Sequence, residues 1–284
     1  MTLASLRGAF DGEPALVAYV AAGDPTPDAT AAQVQALVEG GADVVELGLP
    51  FSEPIADGPT IQEAVVRSLE SGMTPDRYFE IVAGLDVDAP LVCMTYYNLI
   101  FQYGAVHGDE GVGAADPVEP FVAAAAEAGL SGLIVPDLPV EESASLREAC
   151  ARHDLALVFI VAPTTTPDRM ERILEACSGF LYVQARLGTT GAQADVSEDT
   201  YESLDRLPAT DLPRAVGFGV STGEQARAIV AAGADGVVAG SVFVDIVSEG
   251  ETPEGSVTDR LRNTARDLKD GAVAGRVAPE GERR

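Results

Sequence analysis

Lysine is almost absent from this chain of 284 residues, because Lys269 is the only one. A Schiff-base aldolase or a pyridoxal-phosphate enzyme needs a lysine in its site, and Lys269 lies in the last predicted helix, a poor position for that role. His107 and His153 are the only two histidines, and they lie far apart. We therefore expect neither a metal site nor a Ser-His-Asp triad. Carboxylates, tyrosines and backbone amides are left for catalysis.

Cysteines and long apolar runs are also scarce. Cys93, Cys150 and Cys177 are widely spaced in apolar stretches, which is typical of reduced core residues rather than of a disulfide framework or a metal site. No apolar run approaches the roughly 20 residues of a membrane span, and the first residues lack the apolar core of a secretory signal. We expect a cytoplasmic protein without a membrane segment.

Positive charge is the third deficit. Eighteen basic residues face 45 acidic ones, for a net charge of −27, and such a surface repels nucleic acid and anionic lipid. The hydrophobic content of 46% excludes disorder. Carboxylates in place of lysines suit a protein that stays soluble in concentrated salt, where self-repulsion is screened. We therefore expect a halophilic source, with an ordinary acidic mesophile as the alternative.

A unit of helix, glycine and apolar strand recurs along the chain, for example at Gly41, Gly129 and Gly233. The predicted strands are 15–21, 43–47, 90–97, 132–135, 155–161, 180–184, 214–219 and 235–239. The predicted helices cover 27–40, 60–70, 75–84, 117–128, 141–153, 167–177, 199–206, 222–232 and 256–271.

Eight alternating units without a linker predict a single-domain (β/α)₈ TIM barrel over residues 1–271, followed by a mobile tail over 272–284. The alternative, an open doubly wound sheet, normally carries a Gly-rich dinucleotide fingerprint after its first strand. The segment after the first predicted strand, Ala22-Gly23-Asp24-Pro25, does not match that fingerprint.

Two carboxylates lie at the end of the second predicted strand and on the loop after it. Glu46 lies among apolar residues, and Asp57 lies on the loop that follows, before Pro59. Because an unpaired buried carboxylate is costly, Glu46 is either held by backbone groups or kept as a proton carrier with a raised pKa. In a barrel the carboxyl ends of the strands form the active face. This position favours the interpretation of Glu46 as a proton carrier, with Asp57 as an ionised partner.

A phosphate site is predicted at the last two strands. Gly219 follows the seventh strand, and Gly240 and Ser241 open a helical pattern after the eighth. Backbone amides there can bind a dianion without lysine, although Gly-Ser is also an ordinary helix cap. Two features have more than one interpretation. The loop from Arg186 is a lid or a connector, and Asp137 is a site residue or, in the preferred interpretation, a loop cap.

The chain resembles the alpha-subunit family of tryptophan synthase over about residues 15–245. The matching motifs are Gly23–Pro25, Glu46–Gln62, Met94–Asn98, Val135–Glu142, Ala162–Thr166, Thr190–Gly191 and Gly217–Ser221. The resemblance implies a barrel that cleaves indole-3-glycerol phosphate to indole and glyceraldehyde 3-phosphate without a cofactor of its own. It also implies a beta subunit that carries pyridoxal phosphate, with an alpha2-beta2 tetramer as the expected assembly.

By resemblance, Glu46 and Asp57 are the catalytic residues and Thr190 on the lid orients Asp57. The expected substrate-binding residues are Tyr19, Tyr96, Tyr182, Thr190, Gly191, Gly219, Gly240 and Ser241. Glu53 and Pro54 fall at the contact with the beta subunit. Many members have Asp where this chain has Glu53, which leaves the details of pairing open.

Two other functions fit a barrel with a glutamate. A sugar-phosphate isomerase would not explain Asp57, and common versions need a lysine or histidine electrophile. A non-catalytic barrel that only activates a partner predicts no turnover. Indole-3-glycerol phosphate synthase is excluded because it needs catalytic lysines.

Overall fold

The computed structural model describes residues 2–108, 116–184, 204, 207–217 and 219–276. Within these residues, nine parallel strands form one sheet surrounded by helices. The strands are β1 (Ala15–Ala21), β2 (Val44–Gly48), β3 (Leu91–Met94), β4 (Gly132–Ile134), β5 (Ala156–Val158), β6 (Ile160–Val161), β7 (Leu181–Gln184), β8 (Arg214–Gly217) and β9 (Gly236–Ala239).

Helices follow most of the strands, as the alternating pattern predicts. They are α1 (Leu3–Gly8), α2 (Thr30–Glu39), α3 (Pro59–Glu70), α4 (Pro75–Ala83), α5 (Tyr97–His107), α6 (Glu119–Ala128), α7 (Ala144–Arg152), α8 (Pro167–Ala176), α9 (Gly223–Ala231), α10 (Ser241–Glu249) and α11 (Val257–Arg276). Short 3₁₀ turns at Pro27–Ala29 and Val140–Glu142 precede α2 and α7.

The sheet closes on itself at Phe159. The strand order is β5-β4-β3-β2-β1-β9-β8-β7-β6, so the two ends of the sheet are β5 and β6, which only Phe159 separates. This segment pairs with β4 on one side and β7 on the other. The predicted fifth strand 155–161 therefore serves both edges, and the single-domain (β/α)₈ barrel is confirmed.

Some element boundaries differ from the prediction. The predicted strand 90–97 is too long, because β3 ends at Met94 and α5 begins at Tyr97. Asp137 Oδ1 accepts a hydrogen bond from the Tyr97 backbone N–H at 2.9 Å and so satisfies a free amide of that helix start. A contact between distant segments therefore supports the start of this helix, and His107 is its last residue.

The end of the chain also differs. Helix α11 continues to Arg276 with Ala272 buried, so residues 272–276 are helical rather than part of a tail. The remaining tail, 277–284, lies outside the described residues, as does the predicted helix 199–206 apart from Leu204.

Most of the core lies in two layers. The larger one fills the space between the sheet and the helices. The smaller one fills the inside of the barrel at the amino ends of the strands, where Leu6 of α1 and Phe10 cover it and Phe10 packs on Phe180 with ring centroids 5.2 Å apart. All three cysteines are buried. No helix in the described ranges is long and apolar enough to cross a membrane.

Candidate active site

Glu46 is buried inside the barrel. It lies in the middle of β2 with Tyr19 of β1 and Val92 of β3 as its register partners, and only 2% of its surface is exposed. Its Oε2 has no hydrogen-bond partner among the described residues. Burial, with a smaller contribution from the nearby Asp57 charge, raises the pKa of Glu46 to about 8. A carboxyl group that is protonated near neutral pH can donate a proton.

Asp57 is held in place by contacts from two other segments. The Tyr96 hydroxyl donates to Asp57 Oδ2 at 2.8 Å and accepts from the Ala56 backbone N–H at 3.0 Å. Gln62 Nε2 of α3 donates to the Asp57 carbonyl at 2.8 Å. Pro59 at the first position of α3 ends the loop, where its fixed φ suits a helix start. The Asp57 carboxylate is therefore positioned before any ligand binds.

Burial and hydrogen bonding act on Asp57 in opposite directions. Burial raises the pKa of this carboxyl, and the hydrogen bond from Tyr96 lowers it. Burial also raises the pKa of the Tyr96 phenol, and the hydrogen bond to Asp57 raises it further. Tyr96 thus stays a neutral donor and stabilises the ionised form of Asp57.

The two carboxylates face one cavity of about 420 Å³ at the carboxyl ends of the strands. Seven predicted site residues line it: Glu46, Asp57, Tyr19, Tyr182, Gly219, Gly240 and Ser241. Tyr96 contacts Asp57 instead of lining the cavity. Thr190, Gly191 and the loop from Arg186 lie outside the described residues. The described lining contains no lysine, arginine or histidine.

Two glycines make room for the two tyrosines of the cavity wall. A Cβ atom at Gly48 would lie 2.9 Å from Cε2 of the Tyr19 ring. A Cβ atom at Gly217 would lie 2.7 Å from the Tyr182 hydroxyl and 3.0 Å from its Cε1. Each tyrosine therefore leans over a neighbouring strand at a position where only glycine fits.

Backbone groups gather at the β8 and β9 end of the cavity. Gly240 is the N-cap of α10, so the amide groups of Ser241 and the next residue begin the helix there. Gly219 follows β8 with φ of +75°, a left-handed conformation that glycine adopts easily. These amides and the positive end of the helix dipole suit a phosphate group.

Sequence reasoning missed several residues that build this site. Gln62 supports the Asp57 loop. Outside the cavity lining, Arg67 of α3 forms a bidentate ion pair with the buried Asp24 after β1, with both N–O distances at 2.8 Å. Gln184, Met94, Pro136 and Ile160 line the cavity. Only the alternation of β7 could have marked Gln184, since it shares a strand face with Tyr182. Asp137 caps α5, in agreement with its preferred interpretation.

The comparisons with known proteins agree along nearly the whole chain. The family described as tryptophan synthase alpha chain matches residues 8–273. The chain belongs to the tryptophan synthase alpha chain family. It is a lyase that cleaves indole-3-glycerol phosphate to indole and glyceraldehyde 3-phosphate in tryptophan biosynthesis.

Two curated relatives illustrate the similarity. The tryptophan synthase alpha chain of Natronomonas pharaonis is 62% identical over 284 residues, with 99% of each chain covered. That of Haloferax volcanii is 59% identical over 274 residues, covering 95% of this chain and 96% of the relative. These sources are haloarchaea, which confirms the halophilic interpretation of the charge.

Solved structures confirm the fold. The tryptophan synthase subunit alpha from Legionella pneumophila aligns with a TM-score of 0.80 at 30% identity, covering 96% of this chain and 98% of that one. A chain of the aminoacrylate-bound tryptophan synthase from M. tuberculosis aligns with a TM-score of 0.79 at 33% identity, covering 94% of this chain and 99% of that one.

Proposed function

We propose that Glu46 and Asp57 carry out the cleavage of indole-3-glycerol phosphate in this chain. The observation that carries the proposal is the pairing of a buried carboxyl group of raised pKa with a second carboxylate fixed by Tyr96, both on one cavity. The proton carrier and the charge stabiliser therefore differ in environment, which is how two carboxylates take different roles.

The reaction breaks the bond between indole C3 and the first side-chain carbon. Glu46 gives its proton to C3, and the ring nitrogen becomes positively charged. Glu46 then takes the proton of the hydroxyl on that carbon, the O–H electrons form the aldehyde C=O bond, and the electrons of the broken bond return to the ring. Asp57 accepts a hydrogen bond from the ring N–H and stabilises the positive charge of the ring nitrogen.

The rest of the cavity holds the substrate around this bond. Tyr19 and Tyr182 provide the walls for the indole ring, and amides near Gly219, Gly240 and Ser241 bind the phosphate. In this proposal Tyr96 positions the Asp57 carboxylate and does not contact the indole ring. Thr190 and Gly191 remain predicted lid residues.

We propose that this cytoplasmic chain pairs with a beta subunit in an alpha2-beta2 tetramer. Glu53 and Pro54 would contact that subunit, and the neighbouring Ile55 is 81% exposed on the same loop. Pyridoxal phosphate would belong to the partner, because this chain's residues do not fit it. A Schiff base with that cofactor needs a lysine in the site. The only lysine, Lys269, donates from Nζ to Asp43 Oδ2 at 2.8 Å and to the Pro14 carbonyl at 2.9 Å, at the amino ends of the strands.

The test is indole release by Glu46→Gln and Asp57→Asn in molar salt, with and without the beta subunit. Each variant should fold and lose at least about 10²-fold in kcat, the usual minimum for general acid–base catalysis. Glu70→Gln, on the exposed end of α3, is the control. A variant that kept more than about a tenth of wild-type kcat would remove that residue from its role. Equal turnover of unrelated sugar phosphates by the wild type would contradict the assigned substrate.

A further inference from the structure

Gln184 is a polar side chain on the cavity wall that the reaction scheme above does not use. Along β7, Leu181 and Val183 are buried in the layer between the sheet and the helices, whereas Tyr182 and Gln184 line the cavity. Because successive side chains of a strand point to opposite faces, Gln184 lies on the inner face, one step nearer the mouth of the barrel than Tyr182.

The neighbours of Gln184 place it between two parts of the cavity. Its register partner on β8 is Gly217, which has no side chain to cover the amide. Toward the inside of the barrel lies Tyr182, a wall of the proposed indole pocket. Toward the mouth, the chain after Gly217 leads to Gly219 of the proposed phosphate site. A ligand with its ring at Tyr182 and its phosphate near Gly219 would have its middle portion beside Gln184.

The charges of the cavity favour a neutral donor at this position. Glu46 and Asp57 both line the cavity, and no lysine, arginine or histidine is among its described lining residues. A cation here would lower the raised pKa of Glu46 that proton donation needs, whereas an amide adds no charge. A carboxamide offers two N–H donors and one acceptor oxygen, which suits a hydroxyl group.

We propose that Gln184 is a substrate-binding residue whose side-chain amide donates a hydrogen bond to a hydroxyl group of the glycerol portion of the substrate. The inference rests on the proposed function of this cavity. Gln184 would hold the side chain in register between the ring and the phosphate, and so would distinguish the hydroxylated substrate from analogues without hydroxyls.

The test compares two ligands in a Glu46→Gln background, which prevents turnover. One ligand is indole-3-glycerol phosphate, and the other is indole-3-propyl phosphate, which keeps the ring and the phosphate but lacks both hydroxyls. Gln184→Met removes the amide at similar length, and Gln184→Glu removes the donor but keeps an acceptor. Dissociation constants are measured by calorimetry in molar salt, with circular dichroism to confirm the fold.

Gln184→Met should bind the hydroxylated ligand about five- to tenfold more weakly, the usual effect of one lost hydrogen bond, and Gln184→Glu should bind it at least as weakly because it also adds a negative charge. Gln184→Met should bind the propyl analogue within about twofold of the parent. Gln35→Met on the exposed face of α2 is the control and should change neither affinity. Equal weakening for both ligands by Gln184→Met would place Gln184 at the ring or the phosphate and overturn the proposal, as would no weakening at all. Indole release by the wild-type chain is measured separately, so failure of the proposed function is recognised independently.

Discussion

The Tyr96 hydroxyl joins the segment after β3 to the loop after β2 that carries Asp57, because it donates to Asp57 Oδ2 at 2.8 Å and accepts from the Ala56 N–H at 3.0 Å. The same tyrosine ring stacks on Phe51 of that loop, with centroids 5.3 Å apart. One side chain therefore fixes both the carboxylate and the backbone next to it, so that in the proposed mechanism Asp57 need not reorganise when charge develops on the indole nitrogen.

Removing this hydroxyl should slow the chemical step. Tyr96→Phe should lower kcat by about 10- to 100-fold, since a hydrogen bond to a charged group contributes about 1.5–3 kcal/mol. KM should change much less, because Tyr96 does not line the cavity. Steady-state indole release provides the measurement, and Tyr97→Phe, which alters the next residue, serves as the control. A rise in KM at unchanged kcat would instead assign Tyr96 to substrate binding.

Activity should fall at alkaline pH. The pKa of Glu46 is raised to about 8, so the proton that the proposed mechanism transfers to C3 is lost above that pH. We expect kcat/KM, which reports on the free enzyme, to decline above about pH 8, whereas the residual activity of Glu46→Gln shows no such decline. A wild-type profile that stays flat to about pH 10 would show that Glu46 does not start the reaction as an acid.

The same group should make stability depend on pH. Folding raises the pKa of Glu46 from its ordinary value of 4.5 to about 8, so the unfolded chain loses the proton first as pH rises. The stability due to neutral Glu46 is complete below pH 4.5 and is lost as pH rises through 8. The free energy of unfolding of the wild type should therefore fall relative to Glu46→Gln across this window. Denaturant titrations in molar salt measure the free energy of unfolding of the wild type minus that of Glu46→Gln. A value that stays constant or rises with pH would contradict the burial of a protonated Glu46.

Gly48 should not tolerate a side chain. A Cβ atom there would lie 2.9 Å from the Tyr19 ring, so Gly48→Ala should push the ring into the cavity and cost about 1–3 kcal/mol of stability by overpacking. Substrate KM should rise. Adding Tyr19→Phe to the same chain should return KM part of the way to the wild-type value, because the side chain without its hydroxyl is shorter. Gly8→Ala meets open space and should change neither quantity. A normal KM for Gly48→Ala would show that the Tyr19 ring moves without consequence.

Salt and partner should act together on the rate. With a net charge of −27, the chain should lose its fold at about 0.1 M salt and regain it at molar salt, where repulsion is screened. In molar salt, the beta subunit should raise the rate of indole release by about 10- to 100-fold. Circular dichroism and indole release against beta-subunit concentration measure these effects. A lone chain that is fully active would exclude partner activation, and a fold unchanged at low salt would exclude a strict need for screening.

Local patterns in the sequence specify the repeated unit of this protein and its most unusual residue. Helical spacing, glycine stops and apolar runs are local properties, so they located eight strand segments and predicted a closed barrel. Glu46 stood out because a carboxylate within an apolar strand is costly. Gly240 and Ser241 could be found because a helix start has a local signature.

The way those parts act on one another depends on contacts between distant segments. Tyr96 contacts Asp57 across 39 residues of sequence, and Asp137 starts helix α5 by capping Tyr97 from 40 residues away. Such contacts depend on which strand ends are neighbours, which no local pattern encodes. The strand break at Phe159 follows in the same way from barrel closure. Local periodicity specifies elements, whereas the packing of distant segments specifies the electrostatic environment that the chemistry needs.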